Sequence, residues 1–172
     1  MKLDQIAFYA RDLAQAARIK EQLGLASSDW VEDFVEGQVS VYTGIPHTKP
    51  EVGHSRAHLQ FNYAFGTEVE ILTYLDGPHW HEGFAAQRPA TKSWLSHIGF
   101  HLADGEDFPD VQWPLVQELV TEVHTNEYVL SRGRTFHYRI YDARKAFGCY
   151  IKYIKRIHSA HDDRETPNPA GV

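Results

Sequence analysis

Hydrophobic and polar positions alternate with a period of two over Leu3–Ala10. That puts Gln5, Ala7 and Tyr9 on one face of a predicted strand and Ile6 and Phe8 on the other. At Asp12 the period changes. Leu13, Ala16, Ile19 and Leu23 form a helical stripe, with Asp12 as N-cap, Gln15 as the return partner of a capping box and Gly24 as the stop. Strand character returns at Val35, Val39, Val41 and Tyr42, with a break expected at Gly37. Gly44–Ser55, with two prolines and two glycines, predicts a long loop that could wall a ligand. A hairpin follows, with strands Arg56–Tyr63 and Glu68–Leu75 joined by the turn Ala64–Thr67. In its return strand Glu68, Glu70, Leu72 and Tyr74 share one face and Val69, Ile71 and Thr73 the other. A carboxylate flanked by Val69 and Ile71, as Glu70 is, either faces solvent or is held inside by a partner.

The opening pattern then recurs. Ser96-His97-Ile98-Gly99-Phe100-His101-Leu102-Ala103-Asp104 matches Asp4-Gln5-Ile6-Ala7-Phe8-Tyr9-Ala10-Arg11-Asp12, with Ile, Phe and Asp in register and a small residue at Ala7 and Gly99. Gln5 or His97, each able to bind a metal, opens each copy. After the turn-rich Asp104–Asp107, Pro114 predicts the first turn of a second helix with the stripe Leu115, Leu119 and Val123. A short strand Tyr128–Leu130, a strand Thr135–Tyr141, a turn Asp142–Ala146 and a long strand Phe147–Ile157 complete the second half. The order strand, helix, three strands, twice over, predicts an α+β fold. Two βαβββ modules would form a curved mixed sheet around a cup. The expected limits are 1–76 for the first module, 77–93 for a connector, 94–158 for the second module and 159–172 for a polar, disordered tail.

Composition narrows the function classes. With 172 residues and 42% hydrophobic content the chain can fill a core of this size. A net charge of −6 without a basic run speaks against nucleic acid or an anionic membrane as partner. The single cysteine, Cys149, excludes an intrachain disulfide and a thiolate zinc site. No apolar run approaches about 18 residues, so a cytoplasmic protein with no membrane span is expected. Of the eleven histidines, those at 47, 54, 79, 81, 158 and 161 fall in predicted loops or the tail, whereas His58, His97, His101 and His137 lie inside strand patterns. The spacing His79-Trp80-His81-Glu82 in the connector is a weak metal signal.

The double module, with Leu3-Asp4-Gln5-Ile6-Ala7-Phe8, Asp12-Leu13, Glu68-Val69-Glu70-Ile71-Leu72 and Leu95-Ser96-His97-Ile98-Gly99-Phe100, resembles the vicinal oxygen chelate superfamily of glyoxalase I, bleomycin-resistance proteins and extradiol dioxygenases. Gly148-Cys149-Tyr150-Ile151-Lys152-Tyr153 is similar to the superfamily's closing hairpin in degenerate form. The resemblance implies a divalent metal, Zn, Ni, Mn or Fe, held by Gln5, Glu70 and His97. It also implies a lyase or isomerase acting on a small oxygen-rich ligand in the cup. The fourth ligand position falls on Lys152, where the superfamily has glutamate. Three readings stay open there: His137 or Tyr150 serves instead, three ligands suffice, or Lys152 pairs with Glu70 in place of the cation and the protein is a metal-free binding cup. Tyr9, His101 and Tyr150 share the parity of the metal positions, and Lys152, His101 and Tyr9 are the candidate acid–base residues. If His58 or His137 points inward, a 2-His-1-carboxylate Fe(II) site becomes conceivable. A homodimer is left open, because such modules pair within a chain or swap between chains.

Overall fold

The computed structural model describes residues 1–41, 51–76, 94–125 and 134–157. The connector 77–93 with its His-Trp-His-Glu run, the strand expected at 128–130 and the tail 159–172 lie outside the described residues. The elements are β1 (Lys2–Tyr9), α1 (Leu13–Gln22), β2 (Val31–Val41), β3 (Glu51–Asn62), β4 (Glu68–Asp76), β5 (Trp94–His101), β6 (Leu115–Thr125), β7 (Arg134–Tyr141), the single turn α2 (Arg144–Phe147) and β8 (Tyr150–Ile157). The eight strands close in the order β1-β4-β3-β2-β6-β7-β8-β5. Each half pairs its first and last strands in parallel, β1 with β4 and β5 with β8. The halves meet antiparallel at β1–β5 and β2–β6, so both modules of the barrel come from one chain. No described helix is long and apolar enough to cross a membrane.

The first module follows its sequence. Asp12 Oδ1 accepts from the Gln15 backbone N–H at 2.7 Å, and Gln15 Oε1 accepts from the Arg11 backbone N–H at 2.7 Å, one residue earlier than a capping box would place it. Gly24 takes the left-handed turn (φ 71°) that ends α1. Ala16 and Ile19 of this helix pack with Ala10 and Ile71, and with Phe8, Leu23 and Trp30, on the outer face of β1 and β4. β2 runs through Gly37 without a break, because that residue is paired on both sides, with Ser55 and with Thr121. Of the loop expected at 44–55, residues 44–50 lie outside the described residues and 51–55 are strand. β3 already begins at Glu51, and Gly53 pairs with Val39.

The second module departs from the prediction at its crossover. Residues 115–125 form β6, not a helix, paired with β2 from Gln117 to Thr125. The stripe Leu115, Leu119, Val123 is spaced by four, a multiple of two, so it fits one face of a strand as well as one face of a helix. The valines and threonines of this stretch favour the strand. Barrel closure across β2 then decides. The outer face of β5 and β8 is covered by the segment 102–114 instead, with Leu102, Phe108, Val111 and Trp113 packed against Ile98, Phe100, Ile151 and Tyr153. An apolar groove of about 150 Å³ remains there, bounded also by Phe147. Phe147 belongs to α2, so β8 is shorter than the strand expected from 147.

Candidate functional site

Two small residues make room for four polar ones. Across β1 and β5, Gln5 lies opposite Gly99 and His97 opposite Ala7. From the parallel neighbours, Glu70 of β4 lies beside Ala7 and Lys152 of β8 beside Gly99. A Cβ on Gly99 would stand 2.5 Å from Gln5 Oε1 and 2.8 Å from its Cβ, so the glycine is what lets the glutamine cross the strand. The four side chains are buried: Gln5 is 3%, Glu70 1%, His97 0% and Lys152 8% exposed. Beside them Tyr9 and Tyr150 join Ala57, Leu59, Leu72 and Ile140 in an apolar cluster.

The polar residues form one chain of contacts. Gln5 Nε2 donates to Glu68 Oε1 at 2.5 Å, which turns Gln5 Oε1 toward His97 Nε2 at 2.9 Å. Glu68 Oε2 also accepts from the Tyr63 hydroxyl at 3.0 Å, at the barrel's surface. His97 Nε2 lies 3.6 Å from Glu70 Oε2, and Lys152 Nζ donates to that oxygen at 3.3 Å while resting 4.7 Å over the Tyr138 ring. Burial alone would raise the Glu70 carboxyl. The Lys152 ammonium, with His97, outweighs it and holds the group at about 2. Burial and then the Lys152 charge push His97 down to about 4, against the pull of Glu70. Burial, followed by the charge of Glu70, raises Glu68. At neutral pH the interior therefore holds an ionised Glu70 and a neutral imidazole. Because an amide oxygen can only accept, that imidazole carries its proton on Nε2, and Nδ1 accepts from the Ser96 hydroxyl at 3.0 Å.

The set expected from sequence is thus brought together, with Lys152 inside it and bonded to Glu70. The fit to a divalent metal is poor. The Nε2 lone pair is spent on a proton directed at Gln5, and the Glu70 oxygen nearest His97 already accepts from a cation that would repel a metal. Among the described residues no group of three or more His, Cys, Asp and Glu is placed to hold a metal ion. The 2-His-1-carboxylate alternative fails on parity. His58 stacks on Phe34 (4.8 Å) and meets Glu32 at 3.4 Å, and His137 meets Phe108 edge-on at 4.9 Å, both on the outer faces of their strands. Nor does His137 replace Lys152, for the same reason. Tyr9 and Tyr150 stay inside as packing residues beside the site. His101 is not brought to the Glu70–Lys152 pair; it sits at the end of β5, 37% exposed, with Nδ1 2.5 Å from Asp4 Oδ1. Sequence reasoning missed Glu68, Ser96 and Tyr138. The signal for Glu68 was present, since it shares the face of Glu70 two residues away.

No family model matches the chain, and no curated protein matches it. Among solved structures it is similar to a selenomethionine methylmalonyl-CoA epimerase, at 13% identity and TM-score 0.43 over 91% of this chain and 95% of that one. It is also similar to methylmalonyl-CoA epimerase from Mycobacterium tuberculosis, at 13% identity and TM-score 0.41 over 91% and 88%. The architecture is established by the strand order itself, with β1–β4 and β5–β8 parallel and the halves joined at β1–β5: the chain has the paired-module, glyoxalase-like α+β fold.

Proposed function

We propose that this protein is a metal-free small-molecule-binding cup, in which Lys152 supplies the positive charge that a metal would otherwise bring to Gln5, Glu70 and His97. One observation carries the reading: the Lys152 ammonium is inside the barrel, 3.3 Å from Glu70 Oε2. A ligand here would meet fixed, mutually bonded charges in a largely dehydrated setting, which suits selection and retention of a small polar compound. A second reading, a metal-dependent lyase or isomerase, is favoured by the approach of three donor atoms, with His97 Nε2 at 2.9 Å from Gln5 Oε1 and 3.6 Å from Glu70 Oε2. That reading requires Lys152 to leave Glu70 and His97 to give up its Nε2 proton. The metal content of protein purified without chelator or tag-derived metal separates the two. The binding-cup reading expects no stoichiometric metal, no thermal shift with Ni, Zn, Mn or Fe(II), and new metal binding in Lys152→Glu. About one metal per chain, lost in Glu70→Ala and His97→Ala, would establish the enzyme reading instead.

A further inference from the structure

The Glu70–Lys152 pair is incompletely bonded. Glu70 Oε2 takes the ammonium, whereas Oε1, buried with the rest of the side chain, has no hydrogen-bond partner among the described residues. An ammonium has three N–H bonds. Lys152 directs one at Glu70 and rests against the face of Tyr138, with no other hydrogen-bond partner among the described residues, so it keeps donor capacity to spare. A buried carboxylate oxygen without a donor is costly, so a group that reaches Oε1 would have to bring an O–H or N–H. The two charges cancel, and a charged newcomer would arrive buried and uncompensated.

We propose that this ion pair recognises an uncharged compound bearing a hydrogen-bond donor and an acceptor on the same carbon. The donor would meet Glu70 Oε1 and the acceptor Lys152 Nζ. A primary amide group has that pattern. The proposal rests on the binding-cup reading and adds the ligand's chemical class to it. It assigns Glu70 a role in ligand contact rather than in metal ligation.

The test follows the side-chain carboxyl carbon of Glu70 and the Nζ of Lys152 by NMR in isotope-labelled full-length protein, assigned through bonds from their own backbones. The protein is titrated with acetamide, with N,N-dimethylacetamide and with acetate. Acetamide is expected to move both signals saturably at millimolar concentration. N,N-dimethylacetamide keeps the acceptor but has no N–H, and should bind about tenfold more weakly, the worth of one hydrogen bond. Acetate should move neither signal. If acetate or the dimethyl amide acts as strongly as acetamide, the ligand class is overturned while the cup reading stands. Silence from all three overturns both and gives the place beside Oε1 to a buried water.

Discussion

At the scale of single residues, Lys152 and Glu70 depend on each other. Each is taken almost wholly out of water, and neither is tolerable there without the other. Lys152→Met strands the carboxylate and is expected to cost about 3–5 kcal/mol in urea unfolding. Glu70→Leu alone strands the ammonium and should cost a similar amount. The double variant should recover much of the loss, because two apolar side chains of similar size replace a pair that barely offsets its own desolvation. Additive losses in that cycle would mean that the two groups are not coupled. Two rows of the barrel floor, Glu70–Ala7–His97 and Gln5–Gly99–Lys152, explain why the residues between the polar ones are so small.

At the scale of elements, the β1–β5 seam joins the modules and carries the site. Gly99→Ala tests this directly. The added methyl would overlap Gln5 Oε1 and Cβ, and the neighbouring backbone on both sides of β5 is held by β1 and β8, so the glutamine amide must swing away and the backbone at its Cβ must shift. An expected loss of about 1–3 kcal/mol follows from overpacking together with the broken Gln5 contacts to Glu68 and His97. Removing the whole side chain in Gln5→Gly takes away both Oε1 and Cβ, so Gly99→Ala should cost much less in that background. An equal cost in both backgrounds would place the strain elsewhere. Helix α1 and the segment 102–114 do the same work by different means, each covering the outer face of a parallel strand pair with apolar side chains. A helix is one way to bury that face, and a chain of loop residues ending in Trp113 is another.

At the scale of the whole molecule, the buried groups set the pH range over which the barrel is stable. His97 has its folded-state pKa lowered from 6.5 to about 4, so between those values the unfolded chain binds a proton that the folded one refuses. Stability is therefore full above about pH 6.5 and falls as pH drops toward 4. Glu70, lowered from 4.5 to about 2, extends the same loss from pH 4.5 downward. Glu68, raised by burial, acts in the opposite sense in the carboxylate range. Each of the two large shifts corresponds to about 3 kcal/mol. Urea midpoints measured from pH 7.5 to 4.5 should fall in the native protein and stay nearly flat in His97→Asn. A native profile flat to pH 4.5 would show that His97 is not held neutral by its surroundings.

Most of the architecture was legible along the chain. Period-two alternation gave the inward face of β1, with Gln5, Ala7 and Tyr9, and that of β4, with Glu70 and Leu72, because a strand's side chains alternate whatever it pairs with. The repeated opening strand gave the two modules, and Asp12, Gln15 and Gly24 marked both ends of α1, since caps and turns are local chemistry. What depends on contacts distant in sequence was not legible. The pattern of residues 115–125 suits helix and strand alike, and only the need to pair with β2 resolves it. The inward parity of Lys152 was readable, but its bond to Glu70 spans 82 positions and exists only once β8 lies beside β5 and β4 beside β1. The outward turn of His58 and His137 was likewise fixed by which face each sheet buries against the barrel. Sequence determined which residues could share a face. Closure of the barrel decided which of them meet, because burial and charge pairing are properties of neighbours in space.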